Sequence, residues 1–210
     1  PLDGRFFIMS ESITKEGKSA PFFKRLFLGA LAGKKDSQII AYTAVVTAFV
    51  VASNMFEFKL ADTQFSLTIF ASAIAGILIG PLMGAAAAFL GDLVGFLYNS
   101  SGFAYLPWIG ISLAVIALLS GLIVGGLQPR QSWFLYVKLA LVCVLTFLIC
   151  TVAINTTAFW KLYSKVSYGK YLVSRLFLQG QIWNSLANYA LLFVAVPVLN
   201  RIKPLKLRIQ

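Results

Sequence analysis

Histidine is absent from the 210 residues, and only 12% of positions carry Asp, Glu, Lys or Arg, against roughly 25% in an ordinary soluble domain. Without histidine the commonest metal ligand and the usual neutral-pH proton carrier are both missing, which disfavours zinc chemistry and histidine-based catalysis together. Cysteine is nearly as scarce. Cys143 and Cys150 lie seven apart in one apolar run, a placement that suits small packing residues and not a disulfide framework. What the chain has instead is apolar residues, 59% of the total, with 14% aromatics. Such a chain belongs in a bilayer. At about 20 residues per membrane helix, six helices take roughly 120 positions and leave no room for a soluble catalytic domain.

Residues 1–37 are polar and basic, with Arg5, Lys15, Lys18, Lys24, Arg25, Lys34 and Lys35 against Asp3, Glu11, Glu16 and Asp36. They read as a tail. Within it, Phe22-Phe23-Lys24-Arg25-Leu26-Phe27-Leu28 mixes aromatics with charge, as a short segment lying on an anionic membrane surface does. No secretory signal fits the amino terminus. Pro1 cannot be an initiator and Met9-Ser10-Glu11 reads as a natural start, so residues 1–8 read as an addition ahead of it.

Six apolar segments follow, at 38–56, 66–80, 82–98, 106–127, 133–156 and 176–199. They lack the alternation of a membrane barrel and are expected to be helices, with the second and third joined tightly at Gly80-Pro81. The expected architecture is an all-α membrane protein: tail 1–37, a six-helix domain over 38–203 and a basic tail over 204–210. Orientation comes from the basic residues. With the amino terminus inside, the seven tail residues join Arg130, Arg201, Lys203, Lys206 and Arg208, twelve in all; the other side holds Lys59, Lys161, Lys165, Lys170 and Arg175, five. Twelve against five predicts both termini in the cytoplasm, and Lys138, near the inner end of helix five, adds to the count if it snorkels inward. The outer loop from Thr157 to Ser174 holds three lysines and no acid. It reads either as ordinary solvated charge or as a cationic entrance for an anionic solute.

Helix one carries Ala44-x-x-x-Ala48-x-x-x-Ala52, small residues that let another helix approach closely. Its partner is either a helix of the same chain or another protein. Gly76-x-x-x-Gly80-x-x-x-Gly84 and Ala87-x-x-x-Gly91-x-x-x-Gly95 read as tight packing inside the bundle. Asp92 is the one acid inside a predicted span and is expected to face inward, as a structural hydrogen-bonding group, a cation ligand or a proton-coupling site.

Polar and aromatic groups gather at the outward helix ends. Gln64 and Ser66 stand at the first outer loop, and Tyr98, Asn99, Ser100, Ser101, Tyr105 and Trp108 at the second. Asn155, Thr156 and Trp160 end helix five; Tyr168, Tyr171, Arg175 and Gln179 precede or open helix six. An interfacial belt explains the Trp and Tyr but not the amides and Arg175, so a small-molecule pocket opening outward is expected from Gln64, Tyr98, Asn99, Tyr105, Trp108, Asn155, Trp160, Arg175 and Gln179. On helix six, Arg175, Gln179 and Trp183 share one side at 100° per residue, while Gln181, Asn184 and Asn188 fall nearly opposite; that second face is left to helix packing or a partner subunit. Gly17-Lys18-Ser19 imitates the end of a phosphate-binding loop, but Ser12 stands where its leading glycine belongs and no strand precedes it. Any energy from ATP must then come from another protein.

These pieces together resemble the substrate-binding S components of the energy-coupling factor (ECF) vitamin transporters of bacteria, over about residues 38–203. The resemblance rests on the six-helix count, the alanine stripe, Gln64-Phe65-Ser66-Leu67-Thr68, Gly80-Pro81-x-x-Gly84, Gly91-Asp92-Leu93-Val94-Gly95-Phe96, Ser101-Gly102-x-x-Tyr105-x-Pro107, and Asn155-Thr156 with Arg175. It looks most like the folate-type branch. It implies a multi-pass protein of the bacterial plasma membrane that binds a water-soluble vitamin near the outer surface, under the first outer loop. It implies no cofactor of its own, the vitamin being the transported substrate. It implies that Ala44, Ala48 and Ala52 dock on a transmembrane scaffold (T) subunit driven by two ATPase subunits, and that the S component topples to carry ligand inward. Asn155 and Arg175 match polar positions near the pocket. Folate-type members carry an arginine near the end of helix one, where this chain reads Val50-Val51-Ala52-Ser53-Asn54, and Tyr-Phe-Pro-Gly where it has Ala104-Tyr105-Leu106-Pro107-Trp108; folate, cobalamin and pantothenate therefore stay open. The competing readings are a self-sufficient proton-coupled carrier using Asp92 and a small intramembrane enzyme, which would need an acid/base pair where Asp92 stands alone.

Overall fold

Long apolar runs can satisfy their backbone in hydrocarbon only as helices, and the structure, a computed structural model, builds them so. It describes residues 26–31, 34–60, 63–98, 104–126 and 132–201. The predicted tail up to residue 25, Asn99 to Gly102, Arg130 and the basic residues after Arg201 lie outside the described residues. The first long helix, α1, is Asp36–Met55, and α2 is Thr68–Ile79. Then come α3, Pro81–Tyr98, and α4, Pro107–Gly126. Helix α5, Ser132–Thr146, continues as a π-helix over Phe147–Thr156 and as α6 over Thr157–Tyr163. Helix α7, Tyr168–Val173, leads into a second π-helix, Ser174–Leu178, and α8 is Gln181–Arg201.

Five of these stretches are long and apolar enough to cross a membrane: Asp36–Met55, Pro81–Tyr98, Pro107–Gly125, Trp133–Tyr163 and Gln181–Leu199. Helix α2, with twelve residues, is about 18 Å long at 1.5 Å per residue and is sheathed by its neighbours, every residue from Ala71 to Gly80 being buried. Between α1 and α2 the chain makes an antiparallel hairpin, β1 (Glu57–Leu60) and β2 (Thr63–Ser66), with Lys59 opposite Gln64 and Phe58 opposite Phe65. Helix α2 thus starts two residues later than expected.

The start of α2 needs partners for its free N–H groups; α8 supplies one for Phe70 and also holds Ser66, the last residue of β2, beside it. Asn188 Oδ1 accepts from Phe70 N at 2.9 Å and Asn184 Oδ1 from Ser66 N at 3.1 Å, while Asn188 Nδ2 donates to Ser66 O at 2.7 Å. The Asn184/Asn188 face is therefore packed within the chain.

Glycine sets the closeness of α1 to α4. A Cβ on Gly76 would collide with the Ala117 backbone; on Gly84 it would lie 2.5 Å from Gly76 Cα, and on Gly121 2.6 Å from Gly76 O. Gly91 and Gly95 receive Val50 and Asn54 of α1, with added Cβ atoms 2.7 Å from Val50 Cγ1 and Asn54 Cβ. The two small-residue series are packing surfaces, as expected from their spacing. At the α2–α3 joint Gly80 has φ 102°, outside the range of other residues, and its Cα faces Gly29 of the turn Gly29–Leu31, where a Cβ would lie 2.7 Å away. Lys138 is buried, its Nζ 3.5 Å from Val124 O near the end of α4, where a cation offsets the helix's negative end.

Two expectations fail on the carboxyl-terminal side. The predicted outer loop from Thr157 to Ser174 is largely helical, because the fifth helix runs on to Tyr163 and α7 follows. The sixth helix starts at Gln181, after Gly180 turns the chain at φ 69°. Arg175 and Gln179 therefore do not share a helix with Trp183, and the 100° wheel drawn through them does not apply.

Candidate functional site

Chain alternation brings the β1–β2 hairpin, the start of α4, the end of α6, α7 and the start of α8 to one end of the bundle. Pro107 opens α4, a position where its missing N–H costs nothing, and places Trp108 in the first turn and Ser112 one turn further on. Opposite, Asn155 is the last residue but one of the first π-helix and Phe159 follows one turn later in α6. Asn155 Nδ2 donates to Ser112 Oγ at 3.0 Å. The Trp108 and Phe159 rings meet edge to face, with centroids 6.2 Å apart at 89°. Arg175, on the second π-helix, lays its guanidinium over the Phe159 ring at 4.2 Å, within cation–π range. Three elements so converge on one phenyl ring.

Polar atoms of this cluster are left over. Trp108 Nε1, Asn155 Oδ1 and Arg175 Nε are buried and have no hydrogen-bond partner among the described residues. Buried polar groups are nearly always paired, and each exception calls for an explanation. The other three such atoms among the described residues are hydroxyls of Thr43, Ser72 and Ser185, on α1, α2 and α8. Two donors and one acceptor around a pair of aromatic rings can hold a flat ligand with a mixed polar edge.

The remaining sequence candidates are dispersed. Tyr105 donates its hydroxyl to Asp92 Oδ2 at 2.9 Å, and burial, followed by that carboxyl, holds its pKa above the ordinary tyrosine value. Trp160, next to Phe159, points elsewhere: its Nε1 donates to Val166 O at 2.8 Å and its ring meets Tyr168 at 5.5 Å. Tyr98, at the end of α3, and Gln179, before α8, are exposed. Gln64 sits on β2 opposite Lys59, and Asn99 lies outside the described residues. Sequence reasoning missed Ser112 and Phe159. Each lies four residues from a chosen residue, Trp108 or Asn155, so helical spacing was the signal for both.

Helix α1 presents Ala44, Ala48 and Ala52 as exposed residues, while Val46, Val50 and Ser53 face the core. The stripe is thus open along the bundle's outside and is not spent on another helix of the described chain.

Five apolar spans and buried glycine contacts define a multi-pass helical membrane protein. The family model described as the S component of the ECF-type riboflavin transporter matches residues 34–204, and the chain belongs to that family. The same fold is seen in a crystal structure of FolT bound with folic acid, at a TM-score of 0.60 and 18% identity, covering 79% of this chain and 96% of that one. No curated protein matches in sequence. The chain is accordingly a vitamin-binding S subunit of a transporter, as the resemblance implied.

Proposed function

We propose that this S subunit captures a vitamin with a flat, fused heteroaromatic ring, of the riboflavin or folate kind, at the Trp108–Asn155–Arg175 cluster, on the outer face of a bacterial plasma membrane. The observation that carries the reading is the set of three buried polar atoms around the Phe159 and Trp108 rings that have no hydrogen-bond partner among the described residues. Aromatic faces favour a planar ligand, and the indole N–H and guanidinium N–H suit ring carbonyls while Asn155 Oδ1 suits a ring N–H. Pantothenate, which has no ring, makes poor use of such a cluster. The family's name points to riboflavin and the FolT structure to folate.

Both termini are then cytoplasmic, as the twelve-to-five count of basic residues favours, and the polar cluster faces outward beside the hairpin. The exposed Ala44/Ala48/Ala52 stripe supports docking on a transmembrane scaffold subunit, with two ATPase subunits supplying the energy. Asp92, which a self-sufficient proton-coupled carrier would need, is engaged by the Tyr105 hydroxyl, and this favours the subunit over the carrier.

The test is a thermal-shift and fluorescence titration of the detergent-purified protein with riboflavin, folic acid, cobalamin and pantothenate. A true ligand at a thousandfold excess over its Kd stabilises the folded state by about 4 kcal/mol. Riboflavin or folic acid is expected to do so, and N155A or R175A to weaken binding about tenfold or more, the effect of leaving a buried polar ligand group unpaired. Stabilisation by pantothenate alone, or unchanged affinity in both variants, would overturn the reading.

A further inference from the structure

Asp92 and Tyr105 meet where the chain passes from α3 into α4. The 2.9 Å bond from Tyr105 Oη to Asp92 Oδ2 joins the two elements, and the Tyr105 ring leans on Phe96 with centroids 5.2 Å apart. Gly110 makes the space for this bond: a Cβ there would lie 2.6 Å from Tyr105 Oη and 3.0 Å from Asp92 Oδ2. Local chemistry already starts the helix here: Pro107 at its first position has φ preset for a helix, and Ile109 N donates to Leu106 O at 3.0 Å. What the Tyr105–Asp92 bond adds is a tie that fixes this start against α3.

Trp108 comes three residues after Tyr105, and Ser112 two after Gly110. We infer that Asp92, acting through the Tyr105 hydroxyl, is a positioning residue for ligand recognition: it sets the start of α4 so that Trp108 and Ser112 face Phe159 and Asn155. The acceptor oxygen is what matters, and the ring of Tyr105 transmits its placement. This rests on the proposed ligand cluster, but it makes a separate claim about Trp108 that holds without any ligand.

The test compares Y105F, D92A and D92N in the full chain. Three readouts are taken: riboflavin affinity with folic acid as second probe, uptake with the transporter's other subunits, and the ¹⁹F resonance of 5-fluorotryptophan at position 108, assigned by W108F. Y105F and D92A are expected to weaken binding about tenfold, the effect of one hydrogen bond, and to move the Trp108 resonance in the absence of ligand. D92N, whose amide oxygen still accepts from Tyr105, is expected to keep affinity within about twofold, the resonance and uptake. Y105F removes one oxygen and leaves the ring on Phe96, so it serves if D92A does not fold. An unmoved Trp108 resonance in Y105F overturns the inference whatever the ligand. So does a D92N that behaves like D92A, or one that binds normally yet loses uptake. If W108F and N155A leave affinity unchanged, the ligand cluster falls instead, while the Trp108 resonance still decides the role of Asp92.

Discussion

In the amino-terminal half, α1 to α4, backbones touch through glycine, as Gly76 does with Ala117 and Gly84 with Gly76; in the carboxyl-terminal half, α5 to α8, side chains do the joining. There Thr146 meets the Tyr189 hydroxyl at 3.1 Å, Tyr136 stacks on Phe193, and the helices run through two π-helical stretches. Backbone contact leaves no rotamer to adjust, and interiors packed so tightly are not continuously deformable. Side-chain contact and π-helical turns give more readily, and π-helical turns concentrate at functional sites. The polar cluster lies on the seam between the halves. Trp108 and Ser112 belong to the firm side; Asn155, Phe159 and Arg175 to the compliant one.

The sharpest way to break this contrast is Gly76→Leu. A side chain there has only the Ala117 backbone to displace, so the cost is expected to exceed about 4 kcal/mol and to leave no folded protein by size-exclusion of a fluorescent fusion. A well-behaved G76L would remove the distinction between the halves. Next in effect is Ala48→Trp, on the exposed face of the same firm half. Uptake should vanish while ligand binding and melting temperature persist; surviving uptake would show that the stripe is not where the scaffold docks. Asn188→Leu tests a place where the compliant half props up the firm one. It strands Phe70 N–H and Ser66 O, and a loss of about 2–4 kcal/mol is expected as a lower melting temperature. Smallest is Trp160→Phe, which deletes an exposed bond to Val166 O. Water replaces that partner, so stability and affinity should change by less than about 1 kcal/mol, and a large loss of affinity would return Trp160 to the ligand cluster.

The firm half was the legible one. Glycine at four-residue spacing states its purpose in the sequence, because no other residue allows helix backbones to touch, and Gly80-Pro81 marked the joint without ambiguity. Asn155, Trp108 and Arg175 could be picked out as polar or aromatic groups at span ends, since hydrocarbon leaves few other places for them. The compliant half was harder for a physical reason. A π-helix has no composition of its own, so the change of register between Phe147 and Thr156 is invisible to periodicity, and the basic residues after it read as a loop where the helix runs on seven residues to Tyr163. Gly180 was overlooked as a break, and with it the wheel that joined Arg175 to Trp183. The hairpin was missed because its strands are four residues each, too short for alternation to show. Asn184 and Asn188 could be placed on a face, but only the fold reveals that they hold the start of α2.

The two π-helical stretches have a further consequence, for how this protein tolerates insertions and deletions. Each i→i+5 turn takes up one residue more than the α-helical turn, so Phe147–Thr156 and Ser174–Leu178 hold surplus chain directly behind Asn155 and Arg175. Removing a single residue from the first stretch would let it relax to α-helix while the helix beyond keeps nearly the same face to the bundle, whereas the same deletion in a regular α-helix turns everything beyond it by about 100°. The helix would survive, and Asn155, inside the stretch, would shift against Ser112. A one-residue deletion there is expected to change ligand affinity with little change in melting temperature.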